Sequence, residues 1–235
     1  MTIKVLELFA WSRSIWKEAE KLWMEVFSID YTAYDNINLV TDIYKLKKED
    51  TPWIPDAIWA SPDCTTYSIA ACWTHRFPDK SPKSDYAKQC DEWNKHWLKL
   101  MKEWLKINPK MIFFIENPSW NLKKMDFMQE FPMHTVWYCK YWYKIKSIDK
   151  KTGKEIISIP AKPTNIWTNS KTFIWKKCKN HIYDKEWNQI STHCNHDSAR
   201  RWSRTWTQWL KNAHERSKIP QELCLSVLES ILKEN

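Results

Sequence analysis

Glycine is all but missing from this chain. An average domain is about 7% glycine, which would be roughly 16 residues at this length, yet Gly153 stands alone. Also absent is any run of about 20 apolar residues, so no segment reads as a membrane span. The start, MTIKVLELFA, lacks a charged leader, a long apolar stretch and a small-residue cleavage site. It reads as a buried strand and not as a signal peptide. Seven cysteines make an odd number without the dense spacing of a secreted disulfide scaffold, which points to a reducing, cytoplasmic setting. No internal repeat or low-complexity tract is visible. With 235 residues the chain can bury one large core, or one core plus a small appendage.

Tryptophan is abundant instead, with 18 residues. Several stand where a chain uses glycine: Trp11 and Trp16 in a strand-to-helix turn, Trp120 after an Asn-Pro pair, and Trp202, Trp206 and Trp209 in a polar loop. Glycine serves such places because it has no Cβ, tolerates positive φ and lets a ligand approach the backbone. An indole does none of this. One reading accounts for both counts: most of these tryptophans stand for glycines, through a codon, UGA, read as glycine in the source and as tryptophan in this translation. Trp59, Trp97, Trp104, Trp137 and Trp167 lie in apolar or aromatic surroundings and read as genuine tryptophans.

The net charge of +9 is unevenly placed. Between Lys140 and Lys218 there are 18 Lys and Arg against 6 Asp and Glu, leaving 19 against 22 elsewhere. The whole excess lies in one segment that also carries aromatic and amide side chains. That asymmetry fits a polyanionic partner, the alternative being a solvated basic face.

Hydrophobic patterning predicts strands at Ile3 to Phe9, Glu25 to Asp30, Asp56 to Ala60 and Met111 to Ile115, all apolar enough to be buried on both faces. A helix is expected from the turn Ala10 to Arg13 through Leu22, and a long one from Asp85 to Ile107, capped by Ser84. The long helix has an apolar stripe of Tyr86, Cys90, Trp97, Leu100, Met101 and Trp104. Strands alternating with helices imply an α/β sheet with crossovers. Val136 to Tyr143 reads as a further strand, and KKTGK as a turn followed by a returning arm at Glu155 to Ile159. Residues 162 to 218 show little periodicity and read as an irregular, loop-rich lobe. A last helix opens at Pro220 and buries Leu223, Val227, Leu228 and Ile231. The expected organisation is an α/β domain over 1–137, a small basic lobe over 138–218, and a returning helix over 219–235.

Two sites on this frame can carry chemistry. The turn after the first strand, Phe9-Ala10-Trp11-Ser12, lies where open α/β sheets bind ligands. Asp30 ends the next strand, where an acid can accept bonds from ribose hydroxyls, and Asp42 follows in VTDI, a cap or loop acid on the blander reading. Together they fit a cofactor containing a nucleoside. The second site is Ser61-Pro62-Asp63-Cys64, a cysteine just past a strand end, with Glu116-Asn117-Pro118 closing another strand. Most lone cysteines are inert core residues, but a thiol and a carboxyl group at one sheet edge make a catalytic arrangement.

These motifs resemble those of the DNA cytosine carbon-5 methyltransferases, of the short type common in phages. LELFA-W-S resembles the family's cofactor loop. SPDC resembles its Pro-Cys nucleophile motif, with Asp63 in place of a proline, and FIENP its Glu-Asn-Val motif, with Pro118 for valine. RSKIPQELCLSVLESI resembles the helix that folds back on the cofactor. The resemblance implies a Rossmann-like S-adenosylmethionine-dependent methyltransferase sheet with helices on both faces, plus a small recognition lobe. It implies binding of S-adenosylmethionine by Phe9, Ala10, Trp11, Ser12, Asp30, Asp42 and Pro62, with Cys64 as nucleophile on a flipped-out cytosine and Glu116 as its acid. Asn117, Pro118 and Lys162 would contact the base, and Arg200, Arg201, Arg204 and Gln208 the DNA. The family's Gln-x-Arg-x-Arg motif is missing, and Lys162 is the candidate for its cationic role, without arginine's planar fork. Residues 65 to 83 are the expected place for a mobile lid. The implied protein is a monomer acting on double-stranded DNA, away from any membrane.

Two other functions fit the same residues: cytosine methylation of RNA by this chemistry, and a nucleic-acid-binding relative impaired in catalysis. Retention of both Cys64 and Glu116 speaks against the second. Cys178, His181, Cys194 and His196 have zinc-ligand types, with His193 beside them, but their spacing fits no standard finger, and metal-free loop residues are the favoured reading.

Overall fold

A computed structural model of the chain describes residues 2–68, 71–143, 145–148, 153, 155–158, 162–178 and 217–235. The chain opens with β1 (Lys4–Leu8), α1 (Ser14–Lys21), β2 (Glu25–Asp30), a two-residue β3 (Leu39–Val40) and β4 (Ala57–Ala60). A short α2 (Cys72–His75) and the long α3 (Asp85–Ile107) lead to β5 (Ile112–Pro118) and β6 (Met133–Trp137). After these come β7 (Ile145–Ile148), β8 (Glu155–Ser158), β9 (Pro163–Thr168) and α4 (Gln221–Glu234).

Seven strands form one sheet in the order β3-β2-β1-β4-β5-β9-β6, and β7 and β8 form a separate antiparallel hairpin. The strands from β3 to β5 are parallel, whereas β9 runs antiparallel to both β5 and β6. The first five strands follow the doubly wound order, so the chain reverses direction across the sheet between β1 and β4. This is the mixed α/β architecture expected from the alternating pattern.

The pleat sorts the core into two halves. Leu6, Leu8, Ile58, Ala60, Phe113 and Ile115 face α3, where they meet Trp97, Met101 and Trp104. Val5, Ala57, Trp59, Ile112 and Phe114 face the other way, onto Ile15 and Ala19 of α1 and Leu223, Val227, Leu228 and Ile231 of α4. Both sheet faces are therefore covered, which is why the parallel strands read as continuous apolar runs. Helix α3 begins where Ser84 Oγ accepts the Ala87 N–H at 3.1 Å, and its apolar face alternates as expected except at Tyr86. That residue is 38% exposed and donates its hydroxyl hydrogen bond to Asp63.

Four expectations need correction. The strand read at Val136 to Tyr143 stops at Trp137, and Tyr138–Tyr141 form a 3-10 turn. The strand expected to end at Ile115 runs on to Pro118, so Glu116, Asn117 and Pro118 are rungs of β5 itself, in register with Ile166, Asn165 and Thr164. The segment 138–218 is not a lobe throughout, since β9 from its middle is inserted into the main sheet between β5 and β6. The fourth concerns the tryptophans. Trp11, Trp16 and Trp120 are not among the positive-φ residues; Phe9, Arg13, Trp23, Asn36, Lys80, Trp142 and Lys162 are. At position 11 an indole would thus act through its bulk and not through a left-handed backbone.

Candidate functional site

Five strand ends meet along the carboxyl edge of the sheet. At the end of β1, Phe9 turns the chain with φ 58, an unusual backbone for a bulky residue, while its ring packs edge-on against Trp97 at 6.0 Å. Ala10 N–H then reaches Ile29 O, tying the turn to β2. Trp11 lies stacked over Tyr34 with ring centroids 6.2 Å apart, and the Ser12 hydroxyl is shared with that of Ser14. Asp30 is buried at the end of β2 and accepts N–H bonds from Thr32, Tyr31 and Trp11, while burial pushes its carboxyl above the usual range. The end of β3 places Asp42 beside it, through Thr41 N–H bonded to Asp30 O, and Asp42 closes its own turn by accepting the Tyr44 N–H. The structure thus brings Phe9, Ala10, Trp11, Ser12, Asp30 and Asp42 to one corner. Two carboxylates there suit the hydroxyls of a ribose, so the donor set fits a nucleoside. The Trp11 indole, stacked on Tyr34, belongs to the turn that forms that corner.

The second cluster lies one strand further across. Cys64 follows β4 and immediately precedes a 3-10 turn, Thr65–Tyr67. Asp63 closes this bend by accepting both the N–H and the hydroxyl of Thr65 at 2.7 Å. Asn117 Nδ2 donates to Pro62 O at 2.9 Å, which fastens the cysteine loop to β5. Burial pushes the Cys64 thiol up to about 12; the charges of Asp63 and Glu116 push the same way, and Lys162 opposes them. Cys64, Glu116 and Lys162 therefore share one electrostatic neighbourhood. Glu116 is 6% exposed. Burial raises its carboxyl above the normal range, while Lys162, Tyr138 and Ser61 pull it back. A carboxyl shifted in this direction keeps its proton to higher pH than an exposed one, and the protonated form is the one that can donate a hydrogen bond. Lys162 is itself buried, and its ammonium lies 4.4 Å from the Tyr138 ring centre. Pro118, the last rung of β5, sits at the same edge. Asn117 Oδ1 and Asn165 Nδ2, from opposed rungs of β5 and β9, are buried without hydrogen-bond partners.

The segment expected to act as a lid is tied to α3 through Arg76 and Tyr67. Arg76 is 2% exposed and reaches Asp91 of α3 through both terminal nitrogens, at 2.6 and 3.1 Å. It also bonds Thr66 O at 3.0 Å and Thr66 Oγ1 at 3.2 Å, two residues from the nucleophile candidate. Tyr67 donates to the same Asp91 at 2.7 Å. The fork of one guanidinium thus couples the Cys64 turn to the rigid long helix.

Sequence reasoning missed Tyr138, Arg76 and Asp91. A buried arginine that follows a candidate nucleophile by a dozen residues was the available signal for Arg76, whereas Tyr138 reaches Glu116 only through the β5-β9-β6 order. Arg200, Arg201, Arg204 and Gln208 lie outside the described residues, as do His181, His193, Cys194 and His196; Cys178 is described and buried. Among the described residues no group of three or more His, Cys, Asp or Glu side chains is placed to hold a metal ion, and no helix is long and apolar enough to cross a membrane.

No family model matches the sequence, and no curated protein matches it. Among solved structures, the chain is similar to a methyltransferase of Entamoeba histolytica, EhMeth, with 14% identity, a TM-score of 0.46, and coverage of 76% of this chain and 56% of that one. It is similar to a mutant DNMT2 of Spodoptera frugiperda at 15% identity and a TM-score of 0.44, covering 76% and 54%. The Dnmt2 methyltransferase of S. pombe gives 10% identity and a TM-score of 0.42, covering 88% and 62%. The chain thus spans 54–62% of the length of these three structures. Likeness of this degree carries no argument about chemistry, which rests on the residues.

Proposed function

We propose that this chain transfers a methyl group from S-adenosylmethionine to carbon 5 of cytosine in double-stranded DNA. The observation that carries the reading is geometric: Asn117 ties the Cys64 loop to β5 through Pro62 O at 2.9 Å, beside Glu116, and Glu116 and Lys162 both meet Tyr138. The corner formed by Phe9 to Ser12, Asp30 and Asp42 is where the cofactor would sit, its β1 turn on the strand next to the one that the thiol follows.

The residues divide the work. A cytosine swung out of its stack brings carbon 6 to the Cys64 sulfur. As the sulfur–carbon bond forms, the carbon 5–carbon 6 double bond gives up its electrons toward the ring, and charge builds on nitrogen 3. Glu116, holding its proton, donates a hydrogen bond there and offsets that charge. Carbon 5 becomes the nucleophile. When bound, S-adenosylmethionine supplies the electrophilic methyl group. A base then takes the carbon 5 proton, and the electrons of that bond restore the double bond and expel Cys64 as a thiolate. The thiol must lose its proton before attack, and Lys162 is the nearby charge that favours the thiolate. The excess of positive charge over 140–218 suits a phosphate backbone.

The test is covalent capture. Duplex DNA carrying 5-fluorocytosine, incubated with the protein and S-adenosylmethionine, is expected to form a complex that survives denaturing electrophoresis, and Cys64→Ser is expected to abolish it. Transfer of labelled methyl groups to duplex DNA and to transfer RNA, run side by side, decides the nucleic acid. Labelling of the RNA alone would replace the DNA reading, and capture by the Cys64→Ser variant would sink the mechanism.

A further inference from the structure

Glu116 is held by a side chain that the proposed chemistry does not require. We infer that Tyr138 is a positioning residue for Glu116: its hydroxyl fixes one carboxyl oxygen, so that the working proton is carried on the other. The Tyr138 hydroxyl donates to Glu116 Oε1 at 3.0 Å, and the two residues are 0% and 6% exposed. Tyr138 is the first residue of the 3-10 turn that follows β6, and its backbone N–H reaches Lys162 O at 3.4 Å. It thus approaches Glu116 from two strands away, across β9. Thr164 of β9 is in hydrogen-bond contact with the phenol, and the Lys162 ammonium lies against its ring. Three contacts therefore fix the phenol where it meets the carboxyl group.

The chemistry follows from the donor. An oxygen that accepts a phenol O–H is the poorer seat for a proton, so a protonated Glu116 carries its hydrogen on Oε2. Burial and the nearby carboxyl raise the phenol's own pKa well above the normal range, so Tyr138 stays a donor throughout the working pH range. The groups facing Glu116 are Tyr138 from the 3-10 turn, Lys162 before β9, Ser61 and Cys64 from the loop after β4, and Cys224 from α4. Of these, Tyr138 and Ser61 donate to the carboxyl group. Donation to the ionised form lowers a carboxyl pKa, so loss of the phenol hydroxyl must raise it.

The kinetic side of this inference rests on the methyl-transfer reading; the titration does not. Carbon-13 NMR of the glutamate carboxyls, with the Glu116 signal assigned by its loss in Glu116→Gln, gives the midpoint in the wild type and in Tyr138→Phe. The midpoint is expected to rise by about one pH unit, and the alkaline limb of kcat to move with it, while KM for the nucleic acid changes by less than about twofold. A merely structural tyrosine would leave the midpoint in place. Should Tyr138→Phe fail to fold, Thr164→Val is expected to give a smaller rise in the same direction. Coincident midpoints in a folded variant overturn the inference. If the wild type neither methylates nor is captured, the functional reading falls while the titration still decides what Tyr138 does.

Discussion

Trp97, Trp104 and Trp167 are 1% exposed or less and lie in the core between sheet and α3, whereas Trp23 and Trp142 are 89% and 65% exposed and occupy left-handed backbone. In the interior the indole fills space and finds partners: Trp97 Nε1 donates to Asn94 at 2.9 Å. On the surface Trp23 stands just past the end of α1. Its N–H bonds Glu20 O and the Met24 N–H bonds Ala19 O, the paired closure in which the residue after the cap is left-handed and usually glycine. Trp16 and Trp23 also line a surface depression on α1. The same letter thus occurs in two settings: a packed ring in the core, and a left-handed backbone at the surface. The difference teaches where the glycine-for-tryptophan reading holds: buried positions keep tryptophan, and turn positions with positive φ call for a residue without Cβ.

The strongest way to break this contrast is to put glycine into the core. Trp97→Gly removes a fully buried ring and its hydrogen bond from mid-helix, and is expected to cost about 4–6 kcal/mol, combining cavity and helix terms. Urea unfolding followed by circular dichroism measures it, and a loss below about 1 kcal/mol would erase the distinction. A second interior probe is polar. Glu7 of β1 is 2% exposed, takes the Ser28 hydroxyl at 3.0 Å and the N–H groups of Ile15 and Trp16 at the start of α1, and burial raises its carboxyl from 4.5 to about 7. The folded state therefore holds a proton that the unfolded chain releases. Its contribution is complete below pH 4.5 and is lost as pH rises to about 7, an effect on the order of 3 kcal/mol. Glu7→Gln is expected to flatten the fall in unfolding free energy across that window. An unchanged slope would mean that Glu7 is ionised in the fold.

The first four parallel-sheet strands of substantial length, the long helix with its Ser84 cap and the closing helix could all be read from the sequence, because burial on two faces or one stripe leaves a strong apolar signature. That Cys64 and Glu116 lie at the ends of two strands was legible too; that the strands are neighbours comes from the sheet. What could not be read depends on long-range order. β9 carries Pro163, Thr164 and Asn165 in its first half, so it has no apolar alternation, and only its place between β5 and β6 makes it a buried strand. Tyr138 was read as a strand residue because aromatics favour strands, and nothing local told of Glu116 across β9. Trp23 escaped notice because the left-handed position after α1 is defined by two backbone hydrogen bonds, not by a motif.

A ligand sharpens the contrast at the candidate cofactor corner. Trp11 has an ordinary backbone, so glycine there relieves no strain, but it clears the indole from its stack on Tyr34 beside Asp30. Trp11→Gly is expected to tighten S-adenosylmethionine binding by about tenfold or more, equivalent to about 1.4 kcal/mol. Calorimetric titration of both proteins is the measurement, and equal affinities would remove position 11 from the set of glycine sites.

The smallest effect is the most diagnostic. Left-handed backbone costs a residue with a side chain about 1–2 kcal/mol, and glycine's greater freedom when unfolded takes back about 0.5–1 kcal/mol. Trp23→Gly should therefore stabilise the fold by roughly 0.5–1 kcal/mol, opposite in sign to the same substitution at Trp97. Trp142, with φ 51 at the end of the 3-10 turn, should behave like Trp23. Because Trp23 is 89% exposed, no cavity obscures the result. The gene supplies an independent check: UGA is expected at 23 and 142, and UGG at 59, 97, 104 and 167. A destabilised Trp23→Gly protein, or UGG at both turn positions, would leave the left-handed tryptophans as genuine strain that the fold tolerates.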